Sequence, residues 1–289
     1  MSCQARFPFI RIISFRKWGR RVRAGGTAIA FLLAIPLLVV LAPISQGAPT
    51  PEGGADYSPT GSCNLPGPPN TLWILASQCC KAQPPTANNC EDYSSKYEYV
   101  VVKDLATKPW GHLIIPTVKV TGIEDTKNTE AIPVLDFWEF GWDEATKRLK
   151  KKPEHTALAI NSKPGRDQNQ LHIHMSCVHE SVANKLEDAD NKHKIDSNPK
   201  NAFTMKLGQH DNLYEVVKVK SLAGSSSPFK LVMQFPNVNL NDIANQSIAI
   251  VGSKTTGIYY MLVTHHVAGG NPGTAEELLN QTDTCKNVD

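Results

Sequence analysis

The chain has 289 residues, enough for one or two domains with sizeable cores, and a composition ordinary for a globular protein. Its 30 basic and 27 acidic residues give a net charge of +3, but seven of the basic ones fall within residues 1–48, which carry no acid. Beyond that segment 23 basic residues stand against 27 acidic ones, which excludes a general nucleic-acid binder.

The basic residues, from Arg6 to Arg23, precede an uncharged run from Ala24 to Thr50 whose apolar centre, Ala28 to Ile44, is interrupted by Pro36. Such a segment fits either a secretory signal peptide or an N-terminal membrane anchor. Small residues at 45 and 47 suit cleavage after Gly47, whereas the long basic flank favours retention. In either case the charge bias keeps the flank in the cytoplasm and sends the rest across the membrane. Residues 49–70, rich in Pro and Gly, read as a linker, and residues 71–289 as one folded domain.

Export agrees with the cysteines. Cys63, Cys79, Cys80, Cys90, Cys177 and Cys285 allow fifteen complete pairings. Adjacent Cys79 and Cys80 do not pair comfortably with each other, so one or both should reach Cys63 or Cys90. Cys177 and Cys285 then remain for a long-range staple.

In chain order, a short helix is expected from Leu72 towards the cysteine pair, a loop from Gln83 to Asn89, and strands over Tyr97–Asp104 and Gly111–Thr117. A helix from Asp136 to about Lys151 carries Trp138 and Trp142 on its packing stripe. Strands at His155–Ile160 and Gln170–Ser176 flank the loop Asn161–Gln168 and read as adjacent antiparallel partners. A helix over Ser181–Ala189 follows, with His193 in a surface loop. Three more strands are expected at Leu213–Lys220, Lys230–Phe235 and Thr256–Thr264, a short helix within Asn245–Gly252, and a terminal helix at Thr274–Leu279. Of His265 and His266, at most one should be buried. The balance is an α+β fold, an antiparallel sheet with helices packed on it.

Chemistry concentrates at Gln170-Leu-His172-Ile-His174-Met-Ser176. Polar and apolar residues alternate with the strand period, so both imidazoles leave one face about 7 Å apart. The preceding loop supplies Asn161, Arg166 and Gln168 as donors and a cation, and a nucleophilic imidazole beside such donors suits attack on phosphorus. Asp167 is expected to point away. His172, His174, Cys177 and His179 also form a set of metal-ligand types, but the spacing is unlike familiar zinc sites, and no metal or other cofactor is expected. Cys177 has the opposite strand parity, so it is expected in a disulfide rather than as a nucleophile.

At Gly111-His112-Leu-Ile-Ile-Pro and Gln170-Leu-His172-Ile-His174-Met the chain resembles the histidine-triad superfamily. Within it, Ala159-Ile-Asn-Ser162, Gly165-Arg166, Gln168-Asn169 and His172-Ile-His-Met-Ser-Cys177 resemble the bacterial CDP-diacylglycerol pyrophosphatases. The resemblance implies a histidine-triad-like sheet over residues 71–289, with His172 as nucleophile, His174 as phosphoryl donor, and Gln170 where the superfamily has its first histidine. It further implies Arg166, Gln168, Asn161, Ser176 and His112 as substrate-binding residues, the last at the pocket mouth. The implied activity is that of a CDP-diacylglycerol diphosphatase, releasing CMP and phosphatidate through a cytidylyl-histidine. Its partners are a lipid-linked cytidine nucleotide and a membrane surface, not nucleic acid, with the domain held in the periplasm by an inner-membrane anchor or released there. Competing expectations are an exported hydrolase of soluble nucleotide diphosphate conjugates and a non-catalytic nucleotide- or phosphate-binding protein of the same fold.

Overall fold

A computed structural model describes Cys63 and residues 71–82, 84–104, 108–282 and 285. The expected signal or anchor and, apart from Cys63, the linker lie outside the described residues. Among the described residues no helix is long and apolar enough to cross a membrane.

Among the described residues ten strands form one antiparallel sheet in the order β1-β2-β3-β5-β4-β8-β9-β7-β6, with β10 also paired to β5. They are β1 (Cys90–Ser94), β2 (Tyr99–Lys103), β3 (His112–Pro116), β4 (Thr156–Ile160), β5 (Ile173–Val178), β6 (Phe203–Leu207), β7 (Asn212–Val219), β8 (Gln246–Gly252), β9 (Tyr259–His265) and β10 (Leu279–Asn280). The helices are α1 (Thr71–Ile74), continued by a π turn to Cys79, then α2 (Thr126–Thr129), α3 (Phe137–Leu149), α4 (Glu180–Asn191) and α5 (Pro228–Leu231). The α+β expectation therefore holds, and β4 and β5 are antiparallel neighbours as their sequence implied.

Register decides what each face carries, because residues directly opposite one another share a face. One row runs His112, Met175, Leu158, Ile250, Met261 across β3, β5, β4, β8 and β9. This face packs under α3, whose Phe137, Trp138 and Leu149 join it in the main core. Trp138 is fully buried against Phe229, and Trp142 meets Tyr259 edge-on, so both tryptophans anchor packing. The adjacent row, Leu113, His174, Ala159, Ala249, Leu262, lies on the opposite face. There α4 covers the alanine end through Val182, Leu186 and Ala189. The α1 segment covers the other end, packing Leu75 and Ala76 on Val100, Val102, Leu113 and Ile115. His174 lies between the two covers.

Among the described residues three disulfides join Cys63 to Cys79, Cys80 to Cys90 and Cys177 to Cys285; the last is the expected long-range staple, and the first two decide between partners the sequence left open. The first two staple α1 to its surroundings, and the third ties the chain end to β5.

Three expected elements are corrected. Lys230–Phe235 is not a strand but the turn of α5 and a following 3-10 turn, begun by Pro228 at the first helical position. Asn245–Gly252 holds β8 rather than a helix; its Ile248-Ala-Ile-Val251 core is buried on both faces, which removes the alternation that marks exposed strands. Thr274–Leu279 is a 3-10 turn, Ala275–Leu278, leading into β10. Its two glutamates are held by tertiary partners, Glu276 by Asn161 and Glu277 by Asn212 and Tyr214, which overrides local helix preference. Edge strands β1 and β6 had no clear signal in sequence. His193 and His265 are exposed and His266 is partly so; neither member of the 265–266 pair is buried.

Candidate active site

Between the α1 cover and the 3-10 turn before β10 lies a cavity of about 490 Å³. His172 and His174 form its floor, and their rings meet edge to face with centroids 4.8 Å apart. One wall is apolar, made by Leu72, Leu75, Val102 and Leu113; the other is polar and includes Asn161, Lys108 and Glu276.

Nδ1 of His172 is 2.7 Å from the backbone carbonyl of Gln170. A carbonyl can only accept, so Nδ1 carries the proton and the Nε2 lone pair is left for chemistry. Burial pushes the pKa of His172 down to about 4, and neighbouring His174 adds to this, so the ring is neutral at pH 7. These are the tautomer and charge state a nitrogen nucleophile requires.

Gln170, at the position of the superfamily's first histidine, turns its side chain to the backbone of the segment after β3. Its amide is buried and donates to the carbonyls of Pro116 and Val118 at 3.0 and 2.9 Å, while its oxygen accepts from Val120 N–H at 3.3 Å. The backbone of Gln170, not its side chain, orients His172. Gln170→Leu should therefore cost roughly 2–4 kcal/mol of stability, because it orphans two buried backbone groups, Pro116 C=O and Val120 N–H, and a half-buried one, Val118 C=O. Urea denaturation checks this, and an unchanged midpoint would contradict it.

Of the donor loop, Asn161, Arg166 and Gln168 all reach the cavity wall. Their polar atoms are partly engaged: Gln168 accepts from Leu72 N–H at 3.4 Å, which ties the loop to the apolar wall. Arg166 forks onto Glu124, with Nη1 to Oε2 at 2.9 Å and Nη2 to Oε1. Burial works against the Glu124 charge, but Arg166 outweighs it and holds the carboxyl below its ordinary range. Gly122 allows this fork, since a Cβ there would collide with the Arg166 guanidinium. Gly165 likewise lets the loop lie against the backbone of Gly273, which accepts from Ser162.

Asp167, expected to point away, stands exposed on the cavity rim. Ser176 shares the face of His174 but is buried beneath Trp110 and Asn280, to whose carbonyls its hydroxyl donates at 3.1 and 3.0 Å. It does not line the cavity. Nor does His112, which the register places on the α3 face beside Glu91 at 3.4 Å and Lys103 at 3.3 Å. Burial, then the charges of Lys103 and Arg148, push His112 down to about 4.

Both depressed histidines make stability pH-dependent. Above pH 6.5 neither the folded nor the unfolded chain binds these protons and stability is complete; below it the unfolded chain takes up protons the fold refuses. Stability should therefore fall as pH drops from 6.5 towards about 4. Denaturant midpoints at pH 7 and pH 5 measure this, and equal midpoints would exclude it.

Three residues that sequence reasoning did not select complete the site. Glu276 Oε2 lies 3.3 Å from His174 Nε2, and Asp104 Oδ2 lies 3.8 Å from His174 Nδ1. Lys108 Nζ pairs with Glu276 and stands 3.5 Å from Asp104. Asn161 bonds Glu276 twice, its Nδ2 donating to Oε2 and its Oδ1 accepting from the Glu276 backbone N–H, each at 3.1 Å. Burial raises the Glu276 pKa, but His174 and Lys108 outweigh it and keep it below the ordinary range.

The ligand set His172, His174, Cys177 and His179 does not assemble, because Cys177 is in a disulfide on the other face. Among the described residues, ligand atoms of Asp104, His174 and Glu276 lie within 4.8 Å of one another. Lys108 already sits on both carboxylates, so a cation could be held there only if that ammonium withdrew.

Among solved structures, a DUF4931 family protein from Bacillus cereus ATCC 10987 is similar at 9% identity, covering 61% of this chain and 85% of that one with a TM-score of 0.35. A likeness that distant supports no further conclusion. Residues 67–288, which include all the described cavity residues, match the family model described as CDP-diacylglycerol pyrophosphatase, so the chain belongs to the CDP-diacylglycerol pyrophosphatase family.

Proposed function

We propose that the chain hydrolyses CDP-diacylglycerol to CMP and phosphatidate by way of a cytidylyl-His172 intermediate, on a histidine-triad-like sheet. The observation that carries the mechanism is the 2.7 Å contact from Nδ1 of neutral His172 to the Gln170 carbonyl, which leaves the Nε2 lone pair of this cavity-lining ring for chemistry. Family membership supports the substrate.

In the first step Nε2 attacks the phosphorus bonded to cytidine. The bond from that phosphorus to the bridging oxygen breaks, its electron pair stays on the oxygen, and phosphatidate leaves. Its phosphate is a stable leaving group, so neutralising the phosphoryl oxygens matters more than strong acid catalysis. His174, beside the nucleophile, is placed for that work. Water then attacks the nucleotidyl phosphorus and gives up a proton to solvent; the P–N bond breaks, its electron pair returns to Nε2, and CMP leaves.

The apolar wall of Leu72, Leu75, Val102 and Leu113 suits the glycerolipid end of the substrate. The three disulfides support an exported protein. A retained N-terminal segment would hold the site at the outer side of the inner membrane, within reach of lipid.

The test is CMP release from CDP-diacylglycerol in detergent micelles by the full chain with EDTA present. Metal-independent release supports the reading, and turnover confined to soluble CDP-alcohols would replace the lipid substrate. Because His172 must be neutral, its pKa of about 4 predicts a rate insensitive to this group above pH 6 and falling below about pH 5.

A further inference from the structure

We infer that Lys108 is the cation that meets the substrate's diphosphate, with Glu276 as its exchange partner and, once released, the positioning residue for His174. The inference rests on the hydrolase reading, since it requires an anionic substrate above His172.

Three cations line the cavity among the described residues: Lys103, Lys108 and Arg166. Arg166 spends both terminal nitrogens on Glu124, and its side chain is only 4% exposed. Withdrawing it would leave a mostly buried carboxylate uncompensated, a heavy penalty for each binding event. Lys103 directs Nζ to within 3.3 Å of His112 and towards Glu91, at the other face.

Lys108 differs in both respects. Its side chain is 29% exposed, and it stands on the turn between β2 and β3 with a flexible stem over the cavity. Its present partners, Glu276 and Asp104, belong to the cavity's polar side. A diphosphate offers the same ammonium at least two anionic oxygens, so one charged partner replaces another without stranding the lysine. Glu276 is not stranded either, because Asn161 Nδ2 at 3.1 Å and His174 Nε2 at 3.3 Å remain beside it.

His174 completes the exchange. It is 5% exposed, and neither ring nitrogen has a partner in good hydrogen-bond geometry: Lys108 holds Glu276 by Oε1, while Oε2, which accepts from Asn161, stands 3.3 Å from Nε2. Release of Lys108 to the substrate lets Glu276 close on Nε2, fixing the ring beside the nucleophile. The pair thus acts as a latch that an anion opens.

This arrangement predicts opposite movements of KM. With the full-length protein and CDP-diacylglycerol micelles, Lys108→Met should raise KM about tenfold or more, whereas Lys108→Arg should stay within about threefold. Glu276→Gln removes the closer of the two carboxylates on Lys108 and leaves Asp104 at 3.5 Å, so KM should fall several-fold while kcat drops about tenfold through loss of the His174 partner. Melting curves identify any variant that does not fold, in which case Lys108→Gln and Glu276→Ala supply the same comparison. A purely structural ion pair would move KM of both variants in the same direction or not at all, and that result overturns the inference. Wild-type protein assayed alongside separates the two claims: if it releases no CMP, the hydrolase reading fails and takes the latch with it, whereas normal release with parallel KM shifts removes the latch alone.

Discussion

His172→Ala is expected to lower CMP release from CDP-diacylglycerol by at least about a thousandfold while changing thermal stability little. Removal of the proposed covalent nucleophile would eliminate the reaction path, and effects of this size follow where no neighbouring group can replace it. His174 is the nearest candidate, but its nitrogens face Glu276 and Asp104 and its strand register fixes it one pleat further along. Stability should hold because His172 lies at the cavity surface and loses one hydrogen bond, to the Gln170 carbonyl, worth about 1 kcal/mol. Substrate labelled in the cytidine and quenched during turnover should leave label on the wild-type protein and none on the variant. A variant keeping more than a tenth of the wild-type rate would refute the assigned nucleophile.

The sheet face that carries the proposed chemistry was readable from the alternation at 170–176, and the cysteine order suggested the Cys177–Cys285 staple while leaving open which of Cys79 and Cys80 meets Cys63 and which Cys90. Parity also told against Cys177 as a nucleophile. What sequence could not supply was the charge set around His174. Asp104 and Lys108 come from the end of β2 and the turn after it, and Glu276 from a segment more than a hundred residues beyond the histidines. No local motif joins them; only the register of β3, β5 and β10 does. Arg166 shows the converse: its position in a donor loop suggests a phosphate ligand, and only the fold reveals Glu124 across from it. His112 was misplaced for a simpler reason. Resemblance put it at the pocket mouth, whereas a shift of one residue along β3 puts Leu113 on the site face and His112 under α3.

Loss of the Cys177–Cys285 bridge is expected to have the largest effect on stability. Its cysteines are 108 residues apart, against 16 and 10 for the other two bridges. Chain-entropy reasoning assigns about 4.8 kcal/mol to a loop of that length and about 2.7 kcal/mol to the shortest. For a domain of this size the double variant Cys177→Ser/Cys285→Ser should melt roughly 10 °C lower. The functional loss should come first. Strand β10 holds β5 through only Leu279 and Asn280, and Glu276 sits in the turn just before it. Without the bridge that short pairing shares the turn only with the contacts of Glu276 to Asn161 and of Glu277 to Asn212 and Tyr214, so Glu276 should leave His174 and Lys108 at temperatures where the sheet remains folded. Cys80→Ser/Cys90→Ser loosens instead the segment that carries Leu75 of the apolar wall. Its effect should appear mainly in KM for long-chain substrate. Activity and circular dichroism followed together through a thermal ramp distinguish the cases: coincident loss in the Cys177/Cys285 variant would show that the bridge supports the fold as a whole and not the placement of Glu276.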